Sequence, residues 1–372
     1  MSQDTLNEDS VFPWDLGVHD AHCHPTDTMT SIPAIPHMKA TTLTIMATRS
    51  EDQDLVYQTA LSLQKGSKRV VPCFGWHPWF SHQLLDDINN ESASSHNTEQ
   101  QKTTHYQHVL TPPPLDPAFI ASLPDPKPLS QFISETRLRV LRFPTSLVGE
   151  IGLDKAFRLP IPWSQDDIEV RKDTLTPGSR EGRHLSQYRV QMSHQKAVLK
   201  AQLRLAGELG RPVSVHSVQA HGAVLDLLKE LWRGYERYVP TRRERKERDQ
   251  KEEEAEEEEE KQLPFPPRIC MHSYSGPVEP IRQFLNPANP SDIYFSFSQA
   301  INFTTPSSKR VVDVIRAIPE DRLLIESDLH TAGEEMDILL EDITRTVCQL
   351  RGWELHDGVK RLARNWKCFI EK

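Results

Sequence analysis

Residues 146–154 read Ser-Leu-Val-Gly-Glu-Ile-Gly-Leu-Asp. Apart from Glu150, everything from Leu147 to Leu153 is apolar or glycine. A short run with no polar alternation fits a strand buried on both faces, as in a parallel sheet covered by helices. A carboxylate inside such a run is costly to desolvate unless a cation, an ion pair with a residue such as Arg142, or a hydrogen-bond network answers it. The stretch therefore points to a parallel sheet and to a site on it.

Seven further runs of this kind lie on either side, at 17–24, 42–48, 69–78, 211–217, 268–276, 292–299 and 322–328. Helical patterns fall between most of them, at 51–64, 185–209, 219–233, 278–285, 307–317 and 334–350, with a closing one at 353–370. In 219–233, Val224, Leu227, Leu228 and Leu231 recur at the three-and-four spacing of an amphipathic helix. The weak connections follow the first run, where 30–39 holds two prolines, and the third, where only 117–123 or 129–138 offers a helix. Eight strands alternating with helices predict an α/β fold of the (β/α)8 TIM-barrel type rather than a doubly wound sheet.

At about 150 residues per domain, 372 residues would make two or three domains. One barrel of about 250 residues with insertions accounts for the length better. We expect a single domain over 15–372, interrupted at 86–130 (a polar, proline-rich loop), 154–184 (a loop in which Phe157 and Trp163 dock locally) and 241–261 (charged, disordered or helical). These insertions also explain 28 prolines and a hydrophobic share of only 37%.

Several classes are set aside by composition. No apolar run approaches the roughly 18 residues of a membrane span, and residues 1–10 are polar and acidic where a signal peptide is basic and then apolar. The expectation is an intracellular protein, cytoplasmic or nuclear, with no membrane contact. Five cysteines without a CxxC pair suggest neither a disulfide framework nor a cysteine zinc site. The net charge of −9, of which 241–261 contributes −4 through seven basic and eleven acidic residues, does not suggest a basic surface that coats nucleic acid. That segment is instead a candidate handle for a protein partner.

Most of the runs end in a residue that binds a metal or carries a proton, and in a barrel those ends share one face. His22 and His24, two apart on a strand, leave the same face and reach one cation while Cys23 points away. Asp20 shares that face and is a candidate to orient an imidazole. Glu150 has two oxygens and is able to bridge two metals. His216 and His272 each close a run with His-Ser, and with Glu150 they form an N, N, O set. Asp328 ends the last run and is placed to ligate the first metal or to take a proton from a metal-activated water. Glu326 shares its parity but could equally face a helix.

Together these residues resemble the TatD family of metal-dependent hydrolases and deoxyribonucleases, within the amidohydrolase-like barrels. The matching stretches are Asp20-Ala21-His22-Cys23-His24, Gly75-Trp76-His77-Pro78, Val148-Gly149-Glu150-Ile151-Gly152-Leu153-Asp154, Val215-His216-Ser217, Met271-His272-Ser273-Tyr274-Ser275-Gly276 and Glu326-Ser327-Asp328, with Asn365 and Phe369 near the end. The resemblance implies two divalent ions (Mg²⁺, Mn²⁺ or Zn²⁺). His22, His24 and Asp328 would hold one, His216 and His272 the other, and Glu150 would bridge. It implies hydrolysis of DNA phosphodiesters, with Glu150 and Asp328 as catalytic residues and His77 as a substrate contact. Where the family usually has aromatic residues after Gly-Leu-Asp, Arg after His-Ser and Ala-Pro after the last Asp, this chain has Lys155-Ala156, Val218 and Leu329-His330. Lys155, Arg158 and His330 are candidates to replace the lost contacts. The competing readings are a hydrolase of small phosphoesters or cyclic amides, and a barrel scaffold that serves as an interaction module.

Overall fold

In the computed structural model the described residues are 11–64, 70–89, 99–163, 172, 174–240, 262–304 and 308–371. The expected runs form eight parallel strands: β1 (His19–Cys23), β2 (Thr42–Met46), β3 (Val70–Phe74), β4 (Leu147–Asp154), β5 (Val213–Val218), β6 (Arg268–Met271), β7 (Asp292–Phe297) and β8 (Leu323–Ile325). They pair in sequence order in one sheet. The ring closes at the last and first strands, where Asp328 N–H donates to the His22 carbonyl at 3.0 Å and His24 N–H to the Leu329 carbonyl at 2.8 Å. The protein is a (β/α)8 barrel, and the continuous apolar runs have their physical reason in it, because every strand has a packed face on each side.

The two faces are two cores. Outside, helices α1 (Ser50–Leu63), α4 (Leu129–Arg142), α5 (Met192–Glu208), α6 (His221–Trp232), α9 (Ser308–Ala317) and α10 (Glu334–Arg351) wrap the strands. Leu199, Leu203, Val224, Leu228, Val314 and Ile343 are among their buried contributions to the outer core. Inside, Ala21, Met46, Cys73, Leu147, Cys270, Tyr294 and Leu324 come from seven different strands and meet in one cluster. Only a closed lumen brings them together. The last helix, α11 (Leu355–Ile370), adds Trp366, Phe369 and Ile370 to that cluster.

Between β1 and β2 the chain runs through a 3-10 stretch, Met29–His37, with Pro33 and Pro36 inside it, in keeping with prolines that deny an α-helix its hydrogen bonds. The crossover from β3 to β4 is α4. The expected loop at 86–130 needs correction. Residues 90–98 lie outside the described residues, but α2 (Glu99–Val109) and α3 (Pro117–Ser122) follow, and α4 begins at Leu129. Tyr106, Val109, Leu110, Phe119 and Ile120 bury themselves with Leu159 and Val190 in a satellite cluster. Few apolar residues suffice there because they share that cluster with the other insertion. Residues 164–171, 173 and the whole of 241–261 lie outside the described residues. Of the five cysteines, Cys23, Cys73, Cys270 and Cys348 are buried free thiols and Cys368 is exposed.

Candidate metal centre

Strand geometry decides where the chemistry stands. β4 and β5 run with Gly152 opposite His216. A Cβ on Gly152 would collide with the His216 carbonyl, and Gly152 has φ +154°, so only glycine lets the strands approach. Gly75 is similar: a side chain there would meet the backbone of Gly149. Glu150 is thereby drawn to the centre of the C-terminal face, where active sites of such barrels form.

Five imidazoles converge on its carboxylate. Oε1 lies 2.8 Å from His272 Nε2, 3.0 Å from His216 Nδ1 and 3.1 Å from His77 Nε2. Oε2 lies 3.4 Å from both His22 Nε2 and His24 Nε2, which are 3.0 Å from each other. Asp328 Oδ1 is 3.4 Å from His24 Nε2 and 3.8 Å from His22 Nε2. The strand parity expected of His22 and His24 holds, with Cys23 packed in the outer core. Glu150 does not pair with Arg142. Asp328 and Ser273 adopt left-handed backbone, φ +56° and +40°, as residues at functional sites often do.

The donor atoms of His22, His24 and Asp328 lie within 4.8 Å of one another, and so do those of His22, Glu150 and His272, and of His77, Glu150 and His216. Electrostatics fit cations too. Burial opposes charge on Glu150, yet the imidazoles of His77, His272 and His22 hold its carboxyl well below the usual range. Burial likewise opposes charge on His24, but its hydrogen bond to Asp328 and the charge of Glu150 push it up to about 9. His272 is driven well above the ordinary range against its burial by the charge of Glu150. A buried carboxylate, Glu150, and a half-buried one, Asp328, thus draw positive charge into a set of nitrogen and oxygen donors suited to divalent metals.

His77 differs from the rest. Trp79 N–H donates to its Nδ1 at 3.1 Å. That leaves the proton on Nε2, which donates to Glu150. Burial lowers its pKa to about 4 despite the pull of Glu150, so it is a neutral donor.

The orienting partners were mostly missed in the sequence. His22 Nδ1 bonds Ser214 Oγ at 2.8 Å. Ser214 sits two before His216, so strand parity carried the signal. Asp20 does not orient an imidazole. It accepts from the backbone N–H groups of His22 and Ser327, both at 3.0 Å, and from Ser327 Oγ at 2.5 Å, so it ties β1 to the end of β8. Glu326 faces inward, accepting from Ser273 N–H at 2.8 Å and from Ser296 Oγ, with His272 Nδ1 3.6 Å away. Asp154 Oδ2 takes His216 Nε2 at 3.0 Å and the Trp79 indole N–H at 2.6 Å.

Above these groups is a cleft of about 300 Å³ whose lining includes Arg49, His77, Val218, Ile301, Asp328 and His330. His330 is the one of the three replacement candidates that lines it. Its Nδ1 is 2.7 Å from Asp27 Oδ2. Arg49, invisible to motif reasoning, is buried. It pairs with Asp27 at 2.7 Å and donates to the carbonyls of Thr176 at 3.2 Å and Pro177 at 2.9 Å. It pins the second insertion to the rim. Among the described residues no helix is long and apolar enough to cross a membrane.

The family model described as TatD related DNase matches residues 19–370. The Schizosaccharomyces pombe protein named Cut9-interacting protein scn1 is 38% identical over 95% of this chain and 98% of its own length. A Saccharomyces cerevisiae protein named uncharacterized deoxyribonuclease YMR262W is 28% identical over 68% of this chain and 64% of its own. Among solved structures, a TatD family hydrolase from Entamoeba histolytica aligns with a TM-score of 0.52 at 12% identity, over 95% of this chain and 98% of that one, a likeness of fold. The match over nearly the whole barrel makes this chain a member of the TatD-related DNase family of hydrolases.

Proposed function

We propose that the chain is a metal-dependent hydrolase that cleaves phosphodiester bonds, with DNA as its substrate. The observation that carries this is the convergence of five histidines, Glu150 and Asp328 from six strand ends on one buried point. His22, His24 and Asp328 would hold one divalent ion, His216 and His272 a second, and Glu150 would serve both. Mg²⁺, Mn²⁺ and Zn²⁺ are the candidates. Such ions polarise a phosphoryl oxygen and acidify water toward neutral pH.

The chain's own groups supply the rest. Asp328, ionised because its hydrogen bond to His24 outweighs its burial, is the base for the attacking water. His77, held as a neutral Nε2–H donor to Glu150, would pass that hydrogen bond to a phosphate oxygen where bound ions take up the carboxylate. Ser214 and Asp154 keep the rings of His22 and His216 turned toward the centre.

Metal analysis followed by nuclease assay tests the reading. The protein loaded with Mg²⁺, Mn²⁺ or Zn²⁺ is expected to degrade DNA, and bound metal without hydrolysis of any phosphodiester would sink the proposal. A partner-binding role is the second reading, supported by the name of the 38% identical fission-yeast relative. The charged segment 241–261 is the proposed handle. Its deletion is expected to abolish capture of a protein partner and to spare metal content.

A further inference from the structure

Beside the metal cleft lies a second hollow, of about 350 Å³, and Trp79 and Phe80 line both. Most of its other walls come from the insertion that follows β4, and the rest from Glu51, His82, Gln83 and residues 122–124. Phe157 stacks on Trp79, with centroids 4.5 Å apart and planes 10° from parallel. Across it, the Arg183 guanidinium covers the Trp163 indole at 5.1 Å. Arg180 also lines the hollow, but Glu51 and Glu181 offset the two arginines. A bare phosphate therefore finds no excess of positive charge there. What the hollow offers is flat aromatic and guanidinium surfaces, which suit an unpaired nucleobase.

Its position ties it to the chemistry. Trp79 donates through its indole to Asp154 and through its backbone to His77. One residue thus joins the stacking wall to two groups of the metal centre. We infer that the hollow is a base-binding subsite, walled by residues 157–163 and 177–183, for the base adjoining the phosphodiester in the cleft. The inference rests on the proposed hydrolase reading and deepens it. It assigns Trp163, Phe157 and Arg180 to substrate selection.

Calorimetric titration of the full chain with adenosine 5′-monophosphate and with ribose 5-phosphate isolates the base, because the two share sugar and phosphate. The nucleotide is expected to bind about fivefold more tightly or better, the low end of what stacking one base contributes. Trp163→Ala should bring the ratio close to one, Trp163→Phe should keep it, and Arg180→Ala should lower it by a smaller factor. Equal affinities in the unmodified protein, no binding of either compound, or a ratio unchanged in Trp163→Ala would overturn the subsite. Turnover is not required for the measurement. A nucleotide preference without hydrolysis defeats only the hydrolase reading, and hydrolysis without the preference defeats only the subsite.

Discussion

Two clusters of buried histidines sit on either side of the turn that follows β3, and they differ in what they face. Around Glu150, five imidazoles face carboxylates, and His24, His216 and His272 are pushed upward in pKa despite their burial, while His22 and His77 are lowered by theirs. A few residues on, His82, His105 and His194 are equally buried but face carbonyls: His105 Nε2 bonds the carbonyl of His82 at 2.7 Å and His194 Nε2 that of Ser81 at 2.8 Å. Burial there drives His82 down to about 3 and His105 to about 4. The second set is a clasp, fastening α2 and α5 to the 3-10 turn Pro78–Gln83 that follows His77. Crowded histidines alone are not evidence of a metal site. Carboxylates among them are what make the first cluster chemically suited to cations.

The contrast breaks if the clusters respond alike. The largest effect is expected from Glu150→Ala and His22→Ala, each of which should strip metal measured by elemental analysis, whereas His105→Gln should leave it in place. Unchanged metal in the first two would remove the site. Asp328→Asn is expected to lower the turnover rate by about 10²- to 10⁴-fold, the range for loss of a positioned base. A rate within a few-fold of the unmodified protein would exclude Asp328 from proton transfer.

Glu326→Gln should weaken metal affinity by about 10- to 100-fold, as loss of an outer partner of a ligating histidine does. An unaltered dissociation constant would reduce Glu326 to a tie between β6 and β8.

The smallest effect concerns acid stability. The folded clasp holds His82 and His105 below the ordinary 6.5, so the unfolded chain binds more protons between that value and about 4. The clasp's contribution to stability is present above 6.5 and falls as pH drops toward about 4. His105→Gln removes one of these protons, so its denaturation midpoint should decline less steeply over that range. Parallel curves would show that the clasp does not titrate.

Strand runs and their terminal residues were legible in the sequence because continuous apolar patterning and the parity of two are local properties. His22 and His24 face one point for that reason, and all eight strands fell where the apolar runs stand. The helices of residues 99–130 were not legible, since Tyr106 and Phe119 are buried by meeting Leu159 of the other insertion and Val190 just beyond it. Arg49 was silent for the same cause. Beyond the local contacts with Thr48 and Asp52, its partners Asp27, Thr176 and Pro177 are 22 or more positions away.

By itself the sequence determined the barrel, the candidate donor residues and their order along the chain. Tertiary structure alone decided which groups orient which. It put Ser214 rather than Asp20 behind His22, made His77 a neutral donor through the Trp79 amide, and set Trp79 between cleft and groove. The physical reason is that ligand types and strand parity are written in neighbouring residues. Hydrogen bonds between strand ends depend on the closure of the ring.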